Sequence, residues 1–180
     1  GFEYLRKEAA LKTRGIFQLA SLDHAQVQRL RSQCNAGEDP IFEGEPFDVV
    51  ADLIVLFFKQ LPLSIIPREF TETLIQFYDL TDQAKRIENL CILLNACPPA
   101  NFAVLVDVLV YLGYATEQCP HNGLTIERAG LVFSRLLMHF DDKQYRKCSS
   151  IISLMIENVD RLMETHNSSS GIGGGSEYVT

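Results

Sequence analysis

The chain has 180 residues, of which 47% are hydrophobic and none is tryptophan. This length suits one domain with a single core, and no uninterrupted apolar run reaches the roughly 18 residues of a membrane span. The formal net charge of −7 argues against nucleic-acid binding, which requires a basic surface. We therefore expect one globular domain with no integral membrane segment and no nucleic-acid partner.

The five cysteines are an odd number at irregular spacings, and several fall inside apolar segments. Such residues are typical of buried free thiols in a reducing compartment, so we expect a cytoplasmic protein. The triplet Cys119-Pro120-His121 has no second pair at ligand spacing. It therefore predicts a turn rather than a metal site.

The first part of the chain predicts short helices and loops. Residues 1–9 follow an amphipathic pattern, so we expect the domain to begin upstream of residue 1. Ser21 or Asp23 is placed to cap a helix that ends near Gly37. Residues 39–46 contain two prolines, one glycine and three acidic residues, which indicates a loop.

The remaining segments also have helical character. Residues 49–59 are apolar on nearly all sides, as a central helix would be, and Pro62 ends the run. Residues 103–112 are rich in valine, which is typical of strands, but the prolines ahead of them favour a buried helix. No alternating strand pattern occurs, so the predicted class is all-α. Helical spacing of apolar residues also marks residues 69–78, 84–97, 126–139 and 149–163.

The end of the chain differs in composition from the rest. Residues 166–180 are rich in serine and glycine, which predicts a flexible tail. We therefore assign the helical domain to residues 1–165.

Six short motifs follow one another along residues 5–140. They are residues 11–18 (Leu-Lys-Thr-Arg-Gly-Ile-Phe-Gln), residues 27–31 (Val-Gln-Arg-Leu-Arg), residues 49–62 ending in Lys-Gln-Leu-Pro and followed by Ile66-Pro67, residues 98–101 (Pro-Pro-Ala-Asn) with Leu105, residues 122–125 (Asn-Gly-Leu-Thr), and residues 131–133 (Leu-Val-Phe). In this order and spacing they resemble the Rho-family GTPase-activating (RhoGAP) domain. The resemblance implies an all-α, RhoGAP-like helical domain.

Gln18 stands where the resemblance places the family's catalytic arginine finger. The family's loop reads Gly-hydrophobic-Phe-Arg, whereas residues 15–18 here read Gly-Ile-Phe-Gln. An arginine finger supplied in trans raises GTP hydrolysis roughly 10³–10⁵-fold, because its charge stabilises the transferring phosphoryl group. Glutamine has a neutral amide without the guanidinium fork, so it forfeits about 4–7 kcal/mol of transition-state stabilisation. The resemblance therefore implies a divergent member without a catalytic residue.

Four other positions differ from the family's pattern. The resemblance places a helix lysine at Val55 and the arginine that steadies the finger loop at Lys59. It places an asparagine that contacts the GTPase at Arg128, and a proline at Arg135. These changes indicate a site that is no longer adapted to stabilise the negative charge that develops during phosphoryl transfer. With the matching asparagine of the Pro-x-x-Asn motif, the GTPase-binding candidates are Gln18, Val55, Lys59, Asn101, Arg128 and Arg135.

The resemblance favours a catalytically deficient interaction module in signal transduction, and not an enzyme. Its expected partner is a Rho-family small GTPase, of the Rho, Rac or Cdc42 type, or another signalling protein, with no cofactor and no metal. One alternative is an active GTPase activator that uses a substitute arginine: Arg14, Arg128 or Arg135. Another is a structural or dimerisation domain in a larger signalling protein.

Overall fold

The structure is a computed structural model that describes residues 1–17 and 25–170, the side chains of 165–170 excepted. In these two ranges all regular secondary structure is helical, which confirms the predicted all-α class. Two 3₁₀ turns, Arg68–Phe70 and Asp142–Gln144, precede the fifth and tenth helices. The helices are α1 (Phe2–Leu5), α2 (Glu8–Leu11), α3 (Ala25–Asn35), α4 (Phe47–Gln60), α5 (Thr71–Tyr78), α6 (Gln83–Asn95), α7 (Pro99–Glu117), α8 (Cys119–Asn122), α9 (Ile126–Leu137), α10 (Tyr145–Glu157) and α11 (Val159–Ser170).

Helix α7 runs through the core and contacts α1, α8, α9, α10 and α11. It begins with a proline. Proline lacks a backbone N–H, but the N–H groups of the first helical turn have no acceptor within the helix, so no hydrogen bond is lost. Its valines favour strands in isolation, but burial against several helices overrides that preference. The prediction of a buried helix over residues 103–112 is therefore confirmed. Fully buried side chains of α7 include Val108, Leu109, Tyr111, Leu112 and Ala115.

By length and composition, α7 is the one helix among the described residues that could cross a membrane. The central helix of a globular domain has the same properties. Here Asp107, in the middle of α7, lies 3.5 Å from Arg6 of the α1–α2 turn in an exposed ion pair. The contacts of α7 with five other helices are those of a core helix.

Helix α4 is the second helix that positions the site. It buries Val50, Ala51 and Val55 completely, because apolar residues occupy most of its faces. Its backbone becomes extended at Leu61, immediately before Pro62, so the predicted helix end is confirmed. Helix α3 packs on its outer side through a separate small apolar cluster.

Helices α9 and α10 form the most extensive helix pair of the domain. Thr125 caps α9, since its hydroxyl oxygen accepts a hydrogen bond from the Arg128 backbone N–H at 3.2 Å. Gly130 allows the two helices to approach closely. A Cβ atom at this position would lie 2.3 Å from Ser153 Oγ and 2.5 Å from the Ser149 carbonyl oxygen.

Three predicted boundaries differ from the structure. Residues 149–163 were predicted as one helix but belong to two, because Asn158 leaves helical geometry and its amide donates back to the Leu154 carbonyl at 2.8 Å. Residues 119–122 form a short helix instead of a turn. Helix α11 continues to Ser170, past the boundary expected at residue 165.

Two further predictions concern particular residues. Gly37 follows α3 with a φ of 76°, so the expected glycine stop is confirmed. Cys91, Cys97 and Cys148 are buried free thiols, as expected, whereas Cys34 is exposed. The predicted caps at residues 21 and 23, and residues 171–180 of the tail, lie outside the described residues.

Candidate functional site

Residues 13–17, which we call the entry loop, connect α2 to the undescribed residues that follow. Gly15 has a φ of 77°, a left-handed conformation that glycine adopts without steric penalty. Phe17 also has a positive φ, 63°, which is unfavourable for a residue with a side chain. Its ring is 3% exposed and lies edge-to-face against Phe133 and Tyr111, with centroid distances of 5.1 and 5.8 Å. This aromatic packing holds the strained backbone in place.

Asn122 fixes the entry loop from the other side. Its side chain is 1% exposed, and Nδ2 donates to the carbonyl oxygens of Leu11 and Ala115, both at 2.7 Å. Its Oδ1 accepts from the Leu124 N–H at 2.6 Å, and its backbone carbonyl accepts from the Gly15 N–H at 3.1 Å. One buried residue therefore connects α2, the entry loop and the end of α7.

A cleft of about 280 Å³ opens beside the entry loop. Arg128, in the first turn of α9, is the one charged residue among its described lining. Its Nη1 donates to the Gly123 carbonyl oxygen at 3.1 Å, and its side chain is exposed. The remaining lining residues are Ile16, Phe17, Asn122, Gly123, Leu124 and Val132.

Two of the predicted binding residues have partners within the domain. Asn101 Nδ2 donates to the Ile65 carbonyl oxygen at 2.8 Å, which ties the start of α7 to the segment after α4. Arg135 pairs with Asp142 at 3.0 Å and lies over the Tyr145 ring, 4.4 Å from its centroid. The hydrogen bond that this guanidinium donates to the Asp142 carboxylate raises its pKa.

A protein-family model described as the RhoGAP domain matches residues 1–142. The chain belongs to the RhoGAP domain family. The match covers every motif on which the resemblance was based, from the entry loop through residues 131–133.

Curated relatives of this RhoGAP domain are longer proteins. It is 26% identical over 174 residues to Rho GTPase-activating protein gacY of Dictyostelium discoideum, covering 90% of this chain and 23% of that protein. It is 25% identical over 139 residues to Rho GTPase-activating protein 7 of Rattus norvegicus, covering 77% of this chain and 13% of that protein. The chain thus spans less than a quarter of the length of either.

Solved structures confirm the fold. The BH domain from GRAF, the GTPase regulator associated with focal adhesion kinase, superposes with a TM-score of 0.81 at 19% identity, covering 91% of this chain and 90% of that one. Human Rho GTPase activating protein 15 superposes with a TM-score of 0.82 at 22% identity, covering 89% of this chain and 80% of that one. At these identities the likeness shows an all-α RhoGAP fold.

The predicted role of Val55 in this RhoGAP domain is corrected by its burial. It was predicted as a residue that contacts a GTPase, but its side chain is 0% exposed and belongs to the main core. A valine at this position gains stability by packing inward, so its side chain is not available to a partner. Lys59, one turn later, is exposed at the end of α4 and remains available. Gln18 directly follows Phe17 and lies outside the described residues.

The site residues that sequence reasoning missed are those that support the entry loop. Asn122 and Phe133 lie inside motifs used for the family assignment, yet their contacts with the loop were not predicted. Nothing in the sequence distinguished Tyr111 as a site residue, because an aromatic residue in an apolar helix is typical of the hydrophobic core. Its hydroxyl is buried, and no described residue hydrogen-bonds to it.

Proposed function

We propose that this RhoGAP domain binds a Rho-family GTPase, or another signalling protein through the same face, without accelerating GTP hydrolysis. One observation supports the proposal. Phe17 and Asn122 hold the entry loop in a defined conformation, while the residue that follows the loop is the neutral Gln18. In this proposal the entry loop supports the finger position, and the residue at that position carries no positive charge.

The consequence for catalysis follows from electrostatics. During phosphoryl transfer, negative charge develops on the phosphoryl oxygens, and the positive charge of an arginine finger stabilises it. Without the finger, the rate of hydrolysis falls by a factor of roughly 10³–10⁵. A glutamine amide donates hydrogen bonds but carries no positive charge. Binding requires surface complementarity instead, which the exposed Lys59 and Arg128 can still provide.

The direct test measures binding and catalysis on the same protein pair. Several Rho-family GTPases are loaded with a non-hydrolysable GTP analogue for binding and with GTP for single-turnover hydrolysis, with and without this domain. We expect measurable binding to at least one GTPase and less than a roughly five-fold change in hydrolysis rate. A stimulation beyond a few-fold would contradict the proposal, and the absence of binding to all of them would rule out a Rho-family GTPase as the partner.

A second variant asks whether docking geometry has survived. In Gln18→Arg the missing charge is restored, so we expect hydrolysis by the bound GTPase to rise by roughly 10²-fold or more. Gln18→Ala is the matched control, which should bind without stimulating. Binding by both variants with no gain for arginine would mean that the loop does not approach the nucleotide.

Genuine GTPase activation is the second candidate function, and one observation favours it. Arg128 lies in the cleft beside the entry loop, where a substitute for the missing charge would be needed. This function predicts stimulated hydrolysis that Arg128→Ala abolishes and that Arg146→Ala, a charge loss on α10, does not. Without stimulation by the native domain, this candidate is excluded.

A further inference from the structure

We infer that Arg128 binds a carboxylate on the surface of the GTPase, at the rim of the entry loop. This inference rests on the proposed function, because it assigns a chemical role to one residue of the same face. It concerns recognition of a partner protein's acidic side chain and involves no contact with the nucleotide.

The first support is the way in which Arg128 is held. The Thr125 hydroxyl oxygen accepts a hydrogen bond from the Arg128 backbone N–H. Arg128 Nη1 donates to the Gly123 carbonyl oxygen at 3.1 Å, so contacts within the domain position the guanidinium. No described residue accepts a hydrogen bond from its Nε or Nη2. A guanidinium presents donors in a planar fork that matches a carboxylate, and Nε and Nη2, which bond to no described residue, belong to that fork.

The second support is the distribution of acidic residues around the site. Three of the other arginines of the domain form ion pairs inside it: Arg6 with Asp107, Arg29 with Glu45, and Arg135 with Asp142. Arg128 has no such acid among the described residues, although Glu127 is its neighbour in sequence. Hydrogen bonds from Thr125 and from its own backbone N–H lower the pKa of Glu127.

The third support is the composition of the cleft. All of its described lining other than Arg128 is uncharged, and Ile16, Phe17 and Val132 give it apolar walls. A partner side chain that enters the cleft displaces water from those walls, and an ion pair at a partly desolvated site is stronger than one in open solvent. Nη1 is bonded to the Gly123 carbonyl oxygen, so in this conformation the guanidinium lies against its own domain. A residue that reached another protein's bound nucleotide would have to extend away from it.

The test uses the native domain and three single variants with a GTPase that it binds, loaded with a non-hydrolysable GTP analogue. We expect Arg128→Asn to weaken binding roughly 3- to 10-fold and Arg128→Glu to weaken it more than about 10-fold. Arg146→Ala removes the same charge from α10 and should change the dissociation constant less than about two-fold. The Arg128 effect should shrink as salt is raised from about 50 mM to about 300 mM.

Acid-to-lysine substitutions on the GTPase then identify the partner group. One of them should restore most of the binding lost in Arg128→Glu, which shows a direct pair. Equal losses in the Arg128 and Arg146 variants, or no rescue by any acid, would overturn the inference while the proposed function stands. If Arg128→Asn leaves binding intact but removes stimulated hydrolysis, the arginine acts on the nucleotide and the inference is also wrong. Failure of the native domain to bind any GTPase would rule out the GTPase partner of the proposed function and this inference together.

Discussion

Phe17 and Phe133 pack edge-to-face, with ring centroids 5.1 Å apart and ring planes at 77°. This contact joins the last described residue of the entry loop to the middle of α9, far away in sequence. It couples an unfavourable backbone conformation to the core, since Phe17 combines a φ of 63° with a buried position.

Phe17→Ala should therefore lower the free energy of unfolding by about 3–5 kcal/mol, because it empties an aromatic site in the core. Phe57→Ala is the matched control, since that ring is 56% exposed on α4 and its loss should change stability by less than about 1 kcal/mol. Urea denaturation followed by circular dichroism measures both. Similar losses for the two variants would mean that Phe17 is not packed as described.

Asn122 should be the most sensitive polar residue of the entry loop. Asn122→Ala removes two donated bonds and one accepted bond at a buried position, so we expect a loss of about 3 kcal/mol in the free energy of unfolding. Asn101→Ala removes one side-chain bond at a half-buried position and should lose about 1 kcal/mol. If the two losses are equal in denaturant titrations, Asn122 does not connect the three segments.

Two glycines in neighbouring helices should respond in opposite directions to alanine. Gly130→Ala places a methyl group against Ser153 and the Ser149 carbonyl, so α9 and α10 must separate, with a loss of about 2–3 kcal/mol in the free energy of unfolding. A methyl group at Gly113, inside α7, meets nothing within 4 Å. Gly113→Ala should raise stability by about 0.5–1 kcal/mol through helix propensity. A loss in both variants would contradict the described packing of α9 on α10.

Tyr111→Phe should leave the domain as stable as before or stabilise it by up to about 1 kcal/mol, because the hydroxyl is buried without a partner among the described residues. Tyr4→Phe is the control. Its hydroxyl donates to the Glu45 carbonyl at 2.8 Å, so its removal should lose about 1 kcal/mol. A clear loss of thermal stability in Tyr111→Phe would indicate that the hydroxyl has a partner.

Alkaline pH should destabilise the fold. Burial raises the pKa of Cys97 and of Cys148 to about 11, from an ordinary value of 9.0. Between these pH values the unfolded chain releases both protons while the folded chain retains them, so the free energy of unfolding falls as pH rises. Each thiol contributes at most about 1.4 kcal/mol per pH unit in that window.

Urea denaturation at about pH 8, 9 and 10 tests this dependence, with the greater part of the loss expected above about pH 9. Replacing both Cys97 and Cys148 with alanine provides the comparison. The double variant should start from a lower stability but lose less of it as pH rises. If the free energy of unfolding of the double variant falls with pH as steeply as that of the native domain, other groups cause the loss of stability at alkaline pH.

The sequence by itself determined the all-α class, the buried central helices and the family, because apolar periodicity, proline positions and motif spacing are local properties of the chain. The placement of Gln18 at the finger position comes from the motif alone and stays a prediction. The sequence did not separate α10 from α11, since the break depends on one asparagine that competes with the helix backbone.

Only the tertiary structure decided which residues of the site are surface and which are support. Val55 is completely buried, Asn101 is hydrogen-bonded to the Ile65 carbonyl, and Arg135 is exposed in an ion pair with Asp142. Arg128 lies in the cleft beside the entry loop. Motif spacing carries no information on these roles, because burial and hydrogen-bond partners depend on residues distant in sequence. Asn122 shows this directly, since it joins Leu11 to Ala115, which are far apart in sequence, only once α2, α7 and α8 have packed together.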